Sequence, residues 1–516
     1  MTMKQDTVMH YVTPEEAGIS SENILKFVKK LEEKHFAVHD VILARGNRIC
    51  YEAYWEPFHR DYLHRMYSVS KSFVGIAIGF LEQDGLIQLD DKISKYFPEE
   101  LKNQPDQNQH NQTIRHMLMM STAKRASSWF ADNTSDRVVH YFSNPSTESR
   151  PSGSFFEYDS TGSFILGALV ERLTGKLFME YLREKLFSEI GISEEAYCLK
   201  CPGGHSWTDS AIMCRAMDLL LLARFVLNGG SWNGRQILNK EYIQKATSNQ
   251  ISNNLMDLNL YNTQGYGYQI WRTWQDSFFF YGIGTQYAIC VPHKDLILVI
   301  NGGTHGKEYA LDPVLFDAFF ELIVEPAEEQ ADKEVILQKE VGLCQDVASE
   351  KTAGCLALEA YSKKLKLLTA QGAQHSDWES KVQNITYEMQ PNNMQISKIR
   401  VVFEGDTGTL YYTNKQGDKV LKFGLGHNVF GLFPEEGYPD VTGNIPKPGN
   451  RYECAASAAW VEPHKLHIAV QIIGRYYGNL SINLAFAEGE VGLYMSKAAE
   501  FFLMEYMGFG KGIARK

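Results

Sequence analysis

Between residues 20 and 34 the apolar positions Ile24, Phe27, Val28 and Leu31 recur at helical spacing, with lysines and glutamates between them. This predicts an amphipathic helix over 20–34, capped by Ser20 or Ser21. The period then changes to two. Residues 41–43 and 49–54 alternate around a turn at Gly46-Asn47 and predict a hairpin. A second helix is predicted over 68–83, with Phe73, Ile76, Ala77, Phe80 and Leu81 on its apolar face and Gly85 as its stop. Residues 101–111, rich in Asn and Gln, read as a solvated loop. Helical spacing returns at 113–120, 136–142, 162–173 and 213–227. Strand-like runs follow at 266–271, 277–283, 286–291 and 296–300, and 312–324 predicts a closing helix. Helices flanking a late meander predict an α+β layout around an antiparallel sheet.

The texture changes after this region. Residues 1–325 read as one large mixed domain. The acidic, aromatic-poor stretch 326–350 reads as a linker. Residues 351–516 read as a separate β-rich domain, a barrel or sandwich. Its strands are expected at 385–389, 399–403, 410–413, 420–423, 466–473 and 480–486, with turns such as Thr413-Asn-Lys-Gln-Gly-Asp418 between them. The segment 496–506 is expected to be a helix. No internal repeat is visible.

Composition narrows the function classes. Of 516 residues, 44% are hydrophobic and 22% charged, an ordinary globular mixture. Lysine and arginine total 51 against 62 acidic residues, a net charge of −11, and no basic run offsets it. Nucleic acid and anionic membranes are therefore not expected as partners. Residues 1–12 lack a basic start followed by an apolar run, so no secretory signal is expected. Apolar stretches such as 73–81 are too short to span a bilayer. The eight cysteines are scattered, which suits a reducing cytoplasm better than a disulfide framework.

The chemistry begins at Tyr67-Ser68-Val69-Ser70-Lys71-Ser72. Ser68 and Lys71 are three apart at a predicted helix start, so they share a face. A serine hydroxyl needs a base, and a lysine serves if burial or a nearby cation keeps it unprotonated. The helix start also offers free N–H groups to a developing oxyanion. By spacing alone the pair is weak: Ser121-Thr-Ala-Lys124 fits the same pattern, although no buried helix follows it to depress its lysine. A leaving group needs a second proton carrier. Tyr158-Asp159-Ser160, just before an apolar helix, supplies a phenol. Tyr141-Phe-Ser143, Tyr412-Thr-Asn414 and Tyr477-Gly-Asn479 match more loosely and read as packing, strand or turn residues.

The ordered set Ser68-Val-Ser-Lys71, Tyr158-Asp-Ser160 and Tyr281-Gly282-Ile283-Gly284-Thr285-Gln286 resembles the serine β-lactamase/penicillin-binding-protein superfamily. The branch is the class C β-lactamase-like group, with its family VIII esterases, D-aminopeptidases, DD-peptidases and 6-aminohexanoate-dimer hydrolases. Flanking segments at 84–91, 113–118, 266–268 and 291–296 resemble the same group, so the likeness covers about residues 12–325. It implies a β-lactamase-like α+β catalytic domain, an antiparallel sheet flanked by helices plus a helical subdomain. It further implies that Ser68 becomes acylated, that Lys71 and Tyr158 exchange protons, and that the N–H groups of Ser68 and Ile283, within 282–284, hold the oxyanion. Ser160 stands where the family has Asn or Ser and is expected to bind substrate or Lys71. The strand departs from the family's Lys-Thr-Gly or His-x-Gly: Phe280-Tyr281-Gly282-Ile283-Gly284 has no cation. The resemblance thus favours neutral esters or amides over carboxylate-tailed peptides and efficient β-lactam hydrolysis.

Other signals have plainer readings. Cys198-Leu-Lys-Cys201 lacks the partners of a zinc site and reads as buried or loop thiols. Trp207 and His205, in Gly203-Gly-His-Ser-Trp207, are candidates to line the acyl pocket. His305 is a candidate to approach from a strand end, and His116 is expected to pack or cap its helix. Pro434-Glu-Glu-Gly-Tyr-Pro439 is a candidate loop reaching the active site, while Tyr476, Tyr477 and Trp460 are expected to be core. The expectation is a serine hydrolase acting on a small-molecule or short-peptide ester or amide, without metal or organic cofactor. A homodimer is expected if the β-rich domain mediates association. The rivals are a D-amino-acid peptidase or β-lactamase on cell-wall-like substrates, and an idle binding protein on the same scaffold.

Overall fold

The computed structural model describes residues 8–124, 136–143, 148–201, 203–256, 259–327, 351–437, 451–474, 477–499 and 506–515. Most of the expected linker, with Cys344, Pro439 and Tyr476, lies outside the described residues. The chain forms two units. One comprises Met1–Gly302 with Tyr309–Lys366, the other Gly303–Glu308 with Leu367–Lys516.

The first unit is built on β1 (His10–Tyr11), β2 (Val38–Arg45), β3 (Arg48–Tyr54), β6 (Trp271–Arg272), β7 (Phe278–Gly282), β8 (Gln286–Val291) and β9 (Leu296–Gly302). Two short strands, β4 (His64–Arg65) and β5 (Ile212–Cys214), pair apart from them. The large sheet runs β1-β3-β2-β9-β8-β7-β6 and is antiparallel except for β1 on β3. All eight residues of β2 are buried, because both faces of the sheet are covered. Val41, Leu43, Ile289, Leu298 and Ile300 join Phe27 and Leu31 of α1 (Ser21–Glu33) in one core. The alternate positions Ile42, Ala288, Ile297 and Val299 are buried on the opposite face, where the later helix Ala216–Leu227 packs.

The nucleophile segment leads into α2 (Ser70–Gln83), every residue of which is buried from Ser70 to Leu81. A helix apolar all round belongs inside a protein. Two glycines make the fit possible. A Cβ on Gly75 would lie 2.6 Å from the Tyr268 carbonyl, and one on Gly79 2.5 Å from the Tyr242 ring. Helices α3 (Arg137–Ser143) and α4 (Ser160–Thr174) pack nearby, α4 directly on α2.

Residues 107–111 are a short helix rather than loop, started by the Asp106 side chain accepting from Asn108 N–H. Residues 266–269 are not strand: only Trp271–Arg272 pairs with β7. The helix α5 (Ala353–Ser362), which the sequence reading placed in the second domain, lies in the first unit. There Leu358 enters the same core as α1, and Tyr361 Oη donates to Glu32 at 2.5 Å.

The second unit is a barrel, which decides between barrel and sandwich. Its strands are β10 (Thr386–Met389), β11 (Lys398–Glu404), β12 (Thr407–Asn414), β13 (Gly417–Leu425), β14 (Val429–Glu436), β15 (Arg451–Glu462), β16 (Lys465–Ile473), β17 (Tyr477–Ala487), β18 (Glu490–Ala499) and β19 (Gly508–Ala514). The order is β13-β12-β11-β10-β19-β18-β17-β16-β15-β14, and β13 also pairs β15, so the sheet rolls onto itself. Gly408, Leu410, Tyr412 and Asn414 of β12 point inward and alternate with more exposed residues. Trp460 sits within ring contact of Phe403 and Phe486, and its indole N–H donates to Glu379 of the short helix Trp378–Val382 at 3.0 Å. Residues 496–499 belong to strand β18, so the helix expected over 496–506 does not start there; 500–505 lie outside the described residues. Pro434–Glu436 of the candidate loop are strand residues of β14.

Candidate active site

Ser68 lies in a single 3-10 turn, Tyr67–Val69, that runs into α2. Its N–H stands at the start of the helical run, ahead of any intrahelical acceptor. Tyr67, just before it, has φ +44°, the left-handed region that a bulky side chain rarely enters. Such strain persists only where packing imposes it, and it gathers at functional sites.

One turn on, Lys71 is buried, 1% exposed. Its Nζ is hydrogen-bonded to Ser68 Oγ at 2.8 Å and donates to the Asp209 carbonyl at 2.7 Å. The same amine lies 5.0 Å from the centre of the Tyr158 ring. The Tyr158 hydroxyl is buried and makes no hydrogen bond among the described residues. Its ring is held by stacking on Trp271, centroids 5.6 Å apart. The alcohol, the amine and the phenol therefore meet in one place, although Tyr158 is 90 residues beyond Ser68.

Tyr158 gets its position from the start of α4. Asp159 is the N-cap: its carboxylate accepts from Gly162 N–H at 2.9 Å and from the Thr122 hydroxyl at 3.0 Å. Burial pushes the Asp159 carboxyl above its ordinary range, against those two hydrogen bonds. Ser160, the first residue of α4, is half-buried.

Strand β7 borders the nucleophile turn. A Cβ on Gly282 would stand 2.3 Å from the Met66 carbonyl and 3.2 Å from Ser68 N. The next residue, Ile283, is 42% exposed, and Gly284 and Thr285 close the turn with positive φ. Gln286 fixes that turn from below, its side-chain amide donating to the carbonyls of Gly284 (3.0 Å) and Gly302 (2.8 Å). Among the described residues, strand β6 pairs with β7 at Phe278 and Phe279.

Not every candidate joins this cluster. Trp207 is 1% exposed, with the Arg65 guanidinium 4.8 Å over its ring. That burial does not fit a wall of an open acyl pocket. His205 pairs with Glu171 of α4 at 3.0 Å, a contact that raises the imidazole's pKa. His116 forms the capping box of its helix with Thr113. His305 is buried in the loop Gly303–Glu308 of the second unit. Cys198 Sγ contacts the Leu199 carbonyl, and Cys201 Sγ lies 3.9 Å from Arg137.

The second Ser-x-x-Lys pair needs a correction. Lys124 is buried after all, which lowers its pKa to about 8. But Ser121 Oγ donates to the His116 carbonyl and the Lys124 amine to the Tyr141 carbonyl, so the two do not form a working pair. Spacing could not reveal Asp209, Arg65 or Arg137, which meet the site from distant segments.

The 6-aminohexanoate-dimer hydrolase of Paenarthrobacter ureafaciens is 22% identical over 249 residues, 45% of this chain and 64% of that protein. Penicillin-binding protein 4* of Bacillus subtilis is 25% identical over 186 residues, 32% of this chain and 39% of that protein. The chain thus spans less than two thirds of the length of either relative. A solved structure from Bacillus anthracis, provisionally assigned as a 6-aminohexanoate-dimer hydrolase, superposes with a TM-score of 0.50 at 18% identity, over 61% of this chain and 86% of that one. This likeness is one of fold. Residues 26–312, more than half of the sequence, match the family described as Beta-lactamase, and the chain belongs to that family.

Proposed function

We propose that this protein is a serine hydrolase that opens a neutral ester or amide through an acyl-enzyme on Ser68. The observation that carries the reading is the 2.8 Å contact between Ser68 Oγ and the buried Nζ of Lys71. In its unprotonated form Lys71 takes the hydroxyl proton as Ser68 Oγ attacks the carbonyl carbon. The tetrahedral oxyanion is held by the N–H groups of Ser68 and Ile283, on either side of the close approach at Gly282. Tyr158, with its hydroxyl buried and without a hydrogen bond among the described residues, hands a proton to the leaving oxygen or nitrogen. Water then enters by the reverse path and releases the acid. Ser160 lies two residues beyond Tyr158 and contributes to binding.

Substrate class follows from what lines β7. Beside the nucleophile turn, Tyr281-Gly282-Ile283 presents the part-exposed Tyr281 and the exposed Ile283, and the segment itself carries no cation to meet a carboxylate. The relative named for 6-aminohexanoate-dimer hydrolysis supports amide cleavage.

The test is active-site labelling read by mass spectrometry. A fluorophosphonate is expected to modify Ser68, and Ser68→Ala to abolish the label. Labelling by fluorophosphonate without labelling by a fluorescent penicillin supports the neutral-substrate reading. Labelling by both, with turnover of nitrocefin or D-amino-acid amides, favours a β-lactam- or peptide-directed enzyme. No labelling by either reagent means an idle scaffold and refutes the proposal. A panel of p-nitrophenyl esters then sets the acyl preference.

A further inference from the structure

One of the two oxygens that hold the Lys71 amine is a main-chain carbonyl, that of Asp209. A carbonyl fixes an amine only as well as its own peptide is fixed, and residues 208–210 form a turn outside helix and strand. Two buried guanidinium groups reach this turn. Arg137 of α3 clasps the Asp209 carboxylate through both terminal nitrogens, at 2.6 and 3.0 Å. Arg65 of β4 donates through Nε to the Ser210 carbonyl at 3.0 Å. Its guanidinium lies 4.8 Å over the rings of both Tyr67 and Trp207. Arg65, Arg137 and Asp209 are each no more than 1% exposed.

A buried ion pair adds little net stability, because two charges lose their hydration to form it. Its value here is geometric. A bidentate guanidinium–carboxylate pair defines both distance and orientation. Arg137 also lies 4.5 Å over the ring of Phe164 and 3.5 Å from Thr161 Oγ1, both on α4, whose start positions Tyr158. The one guanidinium therefore ties together the segments that flank Lys71 on two sides.

We propose that Arg137, Asp209 and Arg65 are positioning residues: a two-arginine clamp that fixes the Asp209 carbonyl and through it holds Lys71 Nζ against Ser68. The catalytic consequence rests on the serine-hydrolase reading; the restraint on Lys71 does not.

Asp209→Asn separates the two. It keeps the main-chain carbonyl and the side-chain shape but removes the charge that Arg137 grips. The full-length protein is treated with trace acetic anhydride and acetylation is read at each lysine by mass spectrometry. Lys71 is expected to become about tenfold more reactive in the variant, as local opening rises. Lys294, buried elsewhere and donating to the Ala327 carbonyl at 2.9 Å, is the internal control and stays protected. In parallel, fluorophosphonate labelling of Ser68 falls on the order of tenfold or more.

Unchanged Lys71 reactivity in the variant overturns the clamp. A parallel rise at Lys71 and Lys294 shows general loosening and overturns it as well. A selective rise at Lys71, in a protein whose wild type takes no fluorophosphonate, sustains the clamp and refutes the hydrolase. Should Asp209→Asn not fold, Arg137→Gln/Asp209→Asn leaves no charge unpaired and takes the same comparison, with wild-type protection of Lys71 again overturning the proposal.

Discussion

Gly282 has no room for a methyl group, and this one restriction couples the strand to the nucleophile. A Cβ there would meet the Met66 carbonyl at 2.3 Å, backbone against backbone, so no rotamer relieves the clash. Gly282→Ala must push β7 and the Ser68 turn apart by a substantial fraction of an ångström. Because catalytic geometry is this sensitive, its kcat is expected to fall on the order of 10²-fold while the protein still melts cooperatively. Steady-state kinetics alongside thermal denaturation checks this, and near-wild-type turnover would detach β7 from the chemistry. Tyr158→Phe removes only the hydroxyl; the stack on Trp271 remains. Turnover is expected to slow about 10²-fold or more with little change in stability, as for other positioned proton carriers. Wild-type rates in that variant would leave the phenol without a role in proton transfer. Ser68, Lys71 and Tyr158 stood out as candidates in the sequence because two of them lie within one helical turn, the third precedes an apolar helix, and the ordered set resembles a known family. Asp209, Arg65 and Arg137 were not. They come from a turn, a two-residue strand and a short helix, and no periodicity links residues 72 positions apart.

Among the elements, α4 shows how a helix is tied at its far end. Glu171 accepts from His205 Nδ1 at 3.0 Å, from Ser206 N–H at 3.3 Å and from Phe178 N–H at 3.0 Å. Burial alone would raise the Glu171 carboxyl, but these hydrogen bonds prevail and its pKa is lowered. The hydrogen bond to Glu171 raises the His205 pKa from its ordinary 6.5. The native state therefore binds the imidazole proton more tightly than the unfolded chain. Its stabilising contribution is complete below about pH 6.5 and is lost as pH rises through the elevated value. The carboxyl works in the other direction, losing its contribution as pH falls through its lowered value. The difference in melting temperature between wild type and His205→Asn should thus be largest near pH 6 and shrink towards pH 9. A constant difference would mean that the pair does not titrate as a pair. Strands were harder to read than this helix. β15 carries Cys454, Ala456 and Ala458 at buried positions and reads as helix-forming by composition, yet its small side chains lie where β13 pairs with β15. β19, Gly-Phe-Gly-Lys-Gly-Ile-Ala, lacks the β-branched signature because a Cβ on Gly510 or Gly512 would press within 3 Å of Met389. Packing at those positions overrode propensity, which is why these strands escaped a reading based on alternation.

At the scale of the molecule, each unit has its own aromatic core. In the first, Phe316 is fully buried, with ring centroids 4.1 Å from Tyr261 and 5.2 Å from Phe279. In the second, Trp460 is 3% exposed and lies about equally far from Phe403 and Phe486, at 5.9 and 6.0 Å. Truncating a buried aromatic to alanine removes its transfer energy and leaves a cavity, about 3–5 kcal/mol in all. For the barrel unit that shifts unfolding by roughly 10 °C, and for the longer sheet-and-helix unit by about half as much. If each core governs one cooperative transition, Trp460→Ala lowers only the transition of the barrel and Phe316→Ala only that of the sheet-and-helix unit. Calorimetry of the intact chain resolves the two, and the temperature at which the expected fluorophosphonate labelling of Ser68 is no longer possible identifies which transition contains the candidate site, because the reaction needs the folded arrangement. A single transition lowered by both substitutions would show that the two cores melt as one cooperative body.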